Sequence, residues 1–404
     1  MQLTFARVLA LLCLASVPLV AGDASAQPRV EASSSYFREA GGPLYMDVVT
    51  PRVDVSGVIR DKVILDARWD ADVVSGASVA VVDAPGVGVD GITSATRLAD
   101  FRNQATGVIG FQGETTRFTG GYSYGRERDY YSHSFFLAGR TELYERNTVL
   151  ELRYSRGYDH VCNLRQPMNS SAVERQRMPT SDGCYGGADR VWMPLDIQTF
   201  QGSWTQNWTP VFNMQIALQA QLLDGFQSNP YRGVWLGRSA AQEHLPNDRA
   251  RYSANIESRV YLRRTHSTLR FGVKIYRDTW DILAGSGEVG WEQAVRERLR
   301  LRVLGRAYGQ TSAAFYSDDY VVEPRGQYFT GDRELSRMQT YMAGFRLDWT
   351  PIPGAEGPSG TLENLRLVAA FDYFYHNFPD FHYGSTSVPN NQSILATLGL
   401  ELGF

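Results

Sequence analysis

The sequence predicts an all-β fold, a transmembrane antiparallel β-barrel of about sixteen strands, and three observations lead to this prediction. Apolar and polar residues alternate over many segments of about ten to fourteen residues, as in strands with one apolar and one polar face. Tyr and Trp gather at the segment ends, and tight connections alternate with long ones. Barrels of about fourteen or eighteen strands are also compatible with this pattern.

The composition argues against several other classes of protein. The 404-residue chain has a mean hydropathy of -0.30 and, beyond its N-terminus, no run of about 18 apolar residues, unlike a helical membrane protein. Aromatic residues make up 12% of the chain, far more than a disordered chain carries. The net charge of -3 argues against a nucleic-acid partner. Only two of the 40 basic residues are lysines, Lys62 and Lys274.

Residues 1–26 are typical of a secretory signal peptide, and a single barrel domain is expected at 27–404. Arg7 supplies the positive charge, Val8–Val20 is the apolar stretch, and Ala24-Ser25-Ala26 is a small-residue cleavage site. A barrel exported in this way is expected in the bacterial outer membrane, in contact with its lipid.

The alternation places the strands in order along the chain. Near the middle, Leu269, Phe271 and Val273 form an apolar face, while Arg270 and Lys274 lie on the opposite face. The predicted strands are 29–38, 46–59, 63–76, 104–112, 115–125, 130–143, 147–158, 196–208, 211–223, 250–263, 267–279, 285–296, 298–310, 338–350, 363–375 and 391–404. Because their number is even, both termini are expected on the periplasmic side.

Aromatic positions and connection lengths favour a membrane barrel over a soluble sandwich. The expected aromatic girdle consists of Trp69, Tyr122, Tyr124, Trp204, Trp208, Trp349, Tyr373 and Tyr375. Tight turns are predicted near Arg60, Gly113, Tyr144, Thr209, Thr265 and Glu297, and long loops near 77–103, 159–194, 225–249, 312–337 and 377–390.

Two cysteines remain after the predicted cleavage, Cys162 and Cys184, both within the predicted loop 159–194. In an exported protein such a pair is expected to form a disulfide, which contributes about 3 kcal/mol in the loop-entropy model. The loop is expected either to plug or narrow the lumen or to face the cell surface.

The C-terminus carries an expected insertion signal. Leu398, Leu400, Leu402 and Phe404 place apolar residues at every second position up to a terminal Phe. This pattern resembles the sorting signal read by the outer-membrane insertion machinery, which is therefore an expected partner during biogenesis.

Several stretches resemble an uncharacterised bacterial outer-membrane family known only as a domain of unknown function. The most specific stretch is the heptapeptide Asp72–Ser78, which ends an early strand. Arg117–Tyr124 and Asp129–Ser132 are further similar stretches. The resemblance implies an outer-membrane β-barrel, and it implies no activity and no catalytic residues.

Charged residues on the polar faces are expected to line the lumen. In the hairpin 285–310, a turn near 297 would set Glu292 beside Arg302 and Glu288 beside Arg306, with Arg300 on the same face. Further inward charges are expected at Asp66, Arg68, Asp70, Arg140, Glu142, Glu151, Arg153, Arg251, Glu257, Arg259 and Asp348. Two interpretations are open: the pairs brace the wall, each with well under 1 kcal/mol, or they line an ion-selective pore.

Catalytic and metal sites have little support in the sequence. His133 lies between Ser132 and Ser134, but alternation points its side chain away from both serines, so a hydrolytic Ser-His couple is not expected. Candidate metal ligands that match no tight ligand spacing are His376, Asp380, His382, Asp318 and Asp319. We therefore expect no enzyme, no cofactor and no metal.

Three functions are compatible with the sequence. The first is a porin-like conduit for small solutes, and the second is a closed structural barrel that binds a periplasmic or surface protein. The third is a hydrolase at the outer rim, for which Ser132 and His133 are the residues to test. The sequence identifies neither the solute nor the partner.

Overall fold

In the computed structural model of the protein, the described residues are 28–40, 46–76, 81–82, 91–92, 100–168, 171–179, 183–236, 240–318, 326–353, 362, 364–381 and 391–404. The expected signal peptide, the last two residues of the heptapeptide, His382 and Asp319 lie outside them. No helix among the described residues is long and apolar enough to cross a membrane.

Sixteen strands close into one antiparallel barrel. Each strand pairs with the next along the chain, and the first pairs with the last, so the sheet has no free edge. The strands are β1 (Arg29–Ala40), β2 (Met46–Ile59), β3 (Val63–Gly76), β4 (Asp100–Gln112), β5 (Thr116–Arg126), β6 (Tyr130–Leu143), β7 (Thr148–Leu164), β8 (Arg190–Thr209), β9 (Phe212–Gly225), β10 (Asp248–Leu262), β11 (Ser267–Asp278), β12 (Leu283–Arg296), β13 (Leu299–Gln310), β14 (Met338–Pro353), β15 (Asn364–Asn377) and β16 (Gln392–Gly403). The predicted fold class and the number of strands are confirmed.

The two ends of the barrel differ in their connections. Short turns such as the one between β2 and β3 lie at one end, here called the short-turn end. Arg60 and Asp61 in that turn have φ of 50° and 56°, the left-handed conformation that two-residue hairpin turns require. The start of β1 and the end of β16 also lie at this end, where Arg29 pairs with Gly403. Most long connections gather at the opposite, long-loop end.

The outward face of the barrel is apolar and exposed. Leu152, Leu398 and Leu137 are 72%, 66% and 62% exposed. A soluble protein rarely exposes a contiguous apolar band of this kind, whereas in a bilayer the band contacts lipid. The expected girdle residues lie on this face, and all but Trp204, which meets Trp208 edge-on, are exposed. The barrel is therefore of the membrane-spanning type.

The disulfide between Cys162 and Cys184 forms as predicted, but the loop around it is shorter than predicted. β7 continues to Leu164 and β8 begins at Arg190, so Cys162 lies in a strand and the connection runs over 165–189. The predicted strand ends at 158 and 196 were wrong because alternation marks only the part of a strand that contacts lipid. Beyond that part, the ring of Tyr131 packs between His160 and Trp192 and extends the ladder, with ring centroids at 4.5 and 4.9 Å.

At the long-loop end, the connections fold into a packed layer with apolar cores of its own. One cluster contains Val234, Leu236, Ala241 and Phe329, and the other contains Leu245, Trp280, Ile282 and Ala313. The β9–β10 and β13–β14 loops also exchange backbone hydrogen bonds, between His244 and Phe329. These long loops are therefore a folded part of the protein.

Candidate functional site

The lumen of the barrel is the candidate functional site, and paired charges cover much of its wall. Across the β12–β13 hairpin, Glu292 lies opposite Arg302 and Glu288 opposite Arg306. Each pair closes to 2.6 Å between guanidinium and carboxylate. Alternation fixes this arrangement, because Val289 and Val303 of the same strands point outward and are exposed.

Other inward charges form similar pairs along the wall. Asp348 bonds both Arg346 and Arg366, at 3.1 and 2.5 Å, so Arg300, which lies opposite Asp348 in the ladder, has no ion pair among the described residues. Further pairs of this kind include Arg68–Asp54, Arg102–Glu127, Arg140–Glu142, Arg259–Glu257, Arg270–Glu257 and Arg366–Glu401. Because these side chains are partly solvated, each pair contributes well under about 1 kcal/mol.

One sector of the wall carries no charge. Over 199–207 of β8 and 213–221 of β9, the inward residues have amide, hydroxyl or methyl side chains, and we call them the amide sector. Gln201 donates to Gln219 at 3.1 Å, and Gln221 donates to Thr199 at 3.2 Å. The members of the sector are Thr199, Gln201, Ser203, Thr205, Asn207, Asn213, Gln215, Ala217, Gln219 and Gln221.

Two cavities open along the lumen wall, and Arg153 borders both. The first, of about 410 Å³, lies against the amide sector and is also lined by Glu151 and Lys274. The second, of about 470 Å³, is rich in hydroxyl groups and is also lined by Asp66 and Arg68. The lumen therefore offers polar, water-accessible volume on both sides of Arg153.

The loops at the long-loop end meet in a chain of polar contacts, here called the mouth bridge. Tyr231 donates to Asp129 at 2.6 Å. Its neighbour Arg232 bonds Asp332 at 2.6 Å and Glu243 at 3.2 Å. At the far end, Arg333 bonds Glu39 at 2.5 Å. The members of the bridge are Asp129, Tyr231, Arg232, Glu243, Asp332, Arg333 and Glu39.

The mouth bridge joins opposite walls of the barrel. Asp129 lies between β5 and β6, Arg232 between β9 and β10, Asp332 between β13 and β14, and Glu39 at the end of β1. In the closed ring of sixteen strands, consecutive members of this series are four strands apart, a quarter of the circumference. These contacts therefore connect the β9–β10 and β13–β14 loops to each other, to the β5–β6 turn and to β1 at the mouth of the lumen.

The carboxyl group of Glu243 is the most buried charge of the bridge, with 1% of its side chain exposed. It accepts hydrogen bonds from the Asn229 backbone at 2.6 Å and from the Thr330 hydroxyl at 2.7 Å. Burial raises the pKa of Glu243, although Arg232 acts in the opposite direction. Burial also raises the pKa of the neighbouring Glu334. Among its neighbours, Arg232 most strongly opposes this rise in the pKa of Glu243.

The disulfide-closed connection packs into the same layer. Met178 is buried, and its backbone donates to Pro230 at 2.7 Å. Gly183 has φ of 55°, and a Cβ there would lie 2.6 Å from the carbonyl oxygen of Arg128, so the close approach requires glycine. The segment 165–189 thus lies against the β5–β6 turn and the β9–β10 loop.

The histidine and serine named for a rim hydrolase do not come together. Ser132 and Ser134 line the lumen cavity, whereas the ring of His133 lies on the outer face, 4.9 Å from Tyr124 and hydrogen-bonded to Tyr122. Alternation within β6 separates them, because neighbouring side chains point to opposite sides of the sheet. These residues form no Ser-His couple.

The named metal candidates are also dispersed. Among the described residues, no group of three His, Cys, Asp or Glu side chains is placed to hold a metal ion. His376 instead bonds the hydroxyls of Thr340 and Ser393, at 3.0 Å each, and Asp380 bonds Arg337 at 2.8 Å.

Sequence reasoning missed the mouth bridge. Its members lie in segments without periodicity, and the contacts join residues far apart in the chain, 294 positions in the case of Arg333 and Glu39. The one available signal was the charge and apolar content of the long loops 225–249 and 312–337, which is unusual for solvated connections.

Three residues of the expected insertion signal lie on the last strand, and Phe404 directly follows it. Leu398 points outward and is exposed, and Leu400 and Leu402 share its face. The backbone of Phe404 donates to the carbonyl of Pro28, just before β1, at 3.0 Å.

Comparison with known proteins gives a family and several similar structures. Residues 9–377 match the profile of a family described as "Protein of unknown function (DUF3570)", and no curated protein matches the sequence. The chain is similar to a bacterial polysaccharide outer membrane secretin, with 7% identity over 93% of this chain and 97% of that chain and a TM-score of 0.49.

Two further similar structures come from named organisms. OccK2 (OpdF) of Pseudomonas aeruginosa, in complex with glucuronate, has 9% identity over 94% of this chain and 98% of that chain, with a TM-score of 0.43. The siderophore receptor PirA of Acinetobacter baumannii has 10% identity over 87% of this chain and 53% of that chain, with a TM-score of 0.43. The chain thus spans about half the length of that receptor.

Proposed function

Since the chain belongs to the DUF3570 family, whose function is unknown, we propose its function from its own lumen: a conduit for small polar solutes across the bacterial outer membrane. The family match agrees with the resemblance noted in the sequence, and the heptapeptide itself stays untested.

The observation that carries this proposal is the polar lumen wall. Many inward side chains along the membrane-spanning part of the strands are charged or carry amide or hydroxyl groups, as in the Glu288–Arg306 pair and the amide sector. Sixteen strands enclose an interior wider than side chains can fill. Such a wall stays hydrated, and a hydrated lumen offers small solutes a path through the bilayer.

Location and biogenesis are part of the proposal. We infer that residues 1–26 are removed on export and that 27–404 insert as one domain, with Leu398, Leu400, Leu402 and Phe404 read by the insertion machinery. The start of β1 and the end of β16 lie at the short-turn end, which supports a periplasmic position for that end. The exposed apolar belt supports direct contact with membrane lipid.

Planar bilayers test the conduit directly. The purified, folded protein is expected to give stepwise conductance in about 1 M KCl, and heat-denatured protein none. Complete silence over many insertions, with folding verified by heat-modifiable gel migration, would refute the conduit.

A second candidate function is a barrel closed at the long-loop end that binds a surface or periplasmic protein. The mouth bridge favours it, because it connects two long loops with the β5–β6 turn and β1 at the opening. In this case the unmodified protein is silent in bilayers, and crosslinking in intact cells captures one partner in stoichiometric amount. Absence of such a partner, together with conductance, would exclude this candidate.

A further inference from the structure

The cationic side chains on the lumen wall fall into two groups. Most inward arginines bond a carboxylate, as Arg302 bonds Glu292. Like Arg300, Arg153, Arg251 and Lys274 have no ion pair among the described residues, but these three border the amide sector, on β7, β10 and β11. This sector is therefore flanked by cations whose charge is not balanced by a bonded carboxylate.

Arg153 is held in place without using its hydrogen-bond donors. Its guanidinium lies 3.7 Å from the centroid of the Phe136 ring, and its side chain is exposed to the lumen. Stacking fixes the plane of the guanidinium and leaves the N–H fork free, which is the geometry that binds a carboxylate in a bidentate manner. Because the side chain is already ordered, little of its flexibility is lost on binding.

The cavity beside Arg153 brings a second cation and neutral groups to the same place. It is lined by Lys274 and by Gln201, Gln219, Ser253 and Asn255, and Glu151 is its only carboxylate among the described residues. Amide and hydroxyl side chains both donate and accept hydrogen bonds, as the hydroxyls of a polyol do. The buried Nε of Arg251, nearby on β10, has no hydrogen-bond partner among the described residues.

We propose that the amide sector, with Arg153 and Lys274, binds small carboxylates that also carry hydroxyl groups. The carboxylate lies at Arg153 and Lys274, and the hydroxyls bond the amides of Gln201 and Gln219. The cavity of about 410 Å³ is within the usual size of small-molecule sites, about 300–1,000 Å³. This inference rests on the proposed conduit, since it names the class of solute that enters it.

Binding is measured by calorimetry on the full-length protein in detergent, with gluconate as the probe and sorbitol as its neutral counterpart. Gluconate is expected to bind and sorbitol to bind at least about tenfold more weakly, because a hydrogen bond to a charged group contributes more than one to a neutral group. Arg153→Gln is expected to weaken gluconate binding about tenfold or more.

Arg306→Gln is the matched control, because it removes the same charge from an arginine that already bonds Glu288. It is expected to change gluconate affinity less than about twofold. Gel migration before and after heating verifies that each variant is folded. Equal binding of gluconate and sorbitol, or equal effects of Arg153→Gln and Arg306→Gln, would overturn the assignment.

The same proteins in planar bilayers separate this inference from the proposed function. Gluconate is expected to block the current in the unmodified channel and in Arg306→Gln, and to block Arg153→Gln only at higher concentration. Conductance without any gluconate binding overturns the site and leaves the conduit intact. Binding that depends on Arg153, in a protein that never conducts, refutes the conduit and retains the site.

Discussion

Removal of the Arg232 charge is expected to open the mouth bridge. Arg232→Met keeps most of the stem and deletes the two bonds, to Asp332 at 2.6 Å and to Glu243 at 3.2 Å. Glu243 then keeps its hydrogen bonds from Asn229 and Thr330 but loses its countercharge in a buried place. Breaking a buried pair in this way costs about 3–5 kcal/mol.

The lower end of that range applies here, because Arg232 is 27% exposed and water reaches it. A loss of about 3 kcal/mol corresponds to about a 150-fold increase in the fraction of time that the mouth is open. Amide exchange of His244 and Phe329, which bond each other across two loops at 3.1 and 2.9 Å, reports this opening. Protection factors measured by mass spectrometry are expected to fall by that factor.

The pH dependence provides a second readout. Burial raises the pKa of Glu243 in the closed mouth above its value in an opened one, so the closed mouth binds more protons between the two values. The closed mouth is therefore most stable, relative to the open one, at pH values below the ordinary pKa of glutamate. Its stability falls as the pH rises through the raised pKa of Glu243 in the closed mouth. Without Arg232 the pKa of Glu243 in the closed mouth rises further. The loss of protection in Arg232→Met is therefore expected to be larger at pH 8 than at pH 5.

Arg337→Met is the control for this experiment. Arg337 bonds Asp380 at 2.8 Å, but their side chains are 53% and 41% exposed, so the loss is expected to be under about 1 kcal/mol. Unchanged protection of His244 and Phe329 in Arg232→Met, or an equal loss in Arg337→Met, would show that this charge does not hold the bridge.

Two further predictions concern the loop layer and the outer face. Replacing both Cys162 and Cys184 by Ser is expected to lower the local stability of the segment 171–179 by about 3 kcal/mol. Proteolysis in this segment should then be faster, while the barrel keeps its heat-modifiable gel migration. An unchanged cleavage rate would contradict the prediction. Leu152→Arg on the lipid face is expected to lower the free energy of unfolding from vesicles by about 2–4 kcal/mol in urea titrations. Gln201→Arg on the adjacent strand faces the lumen and is expected to lower it far less, and equal losses would contradict the assigned faces.

Much of the barrel is predictable from sequence, because its two faces contact different solvents. Lipid selects Leu269, Phe271 and Val273 on one face of β11, and lumen water selects Arg270 and Lys274 on the other. The same alternation, combined with a turn near 297, places Glu292 opposite Arg302, since register in a hairpin follows from the turn. Each of these inferences needs only local sequence.

The mouth bridge could not be predicted in this way. Arg232 and Asp332 are 100 positions apart, and each lies in a loop with neither period 2 nor period 3.6. Their contact depends on the positions of β9 and β13 in the closed barrel. These positions follow from barrel closure and not from a local sequence pattern. The same reason explains why Cys162 was assigned to a loop: past the lipid belt, pairing depends on contacts such as Tyr131 with His160.

In the proposed conduit, a solute meets the mouth bridge and the amide sector in series. The bridge would limit entry by size, since it lies at the mouth without presenting one uniform charge. The amide sector would then select solutes by charge, since Arg153 and Lys274 attract anions. The paired charges elsewhere, such as Glu288 with Arg306, largely cancel. A change at the bridge should therefore alter the passage of charged and neutral solutes alike, and a change at Arg153 should alter only that of anions. The two steps are separable because no member of the bridge lines the amide-sector cavity.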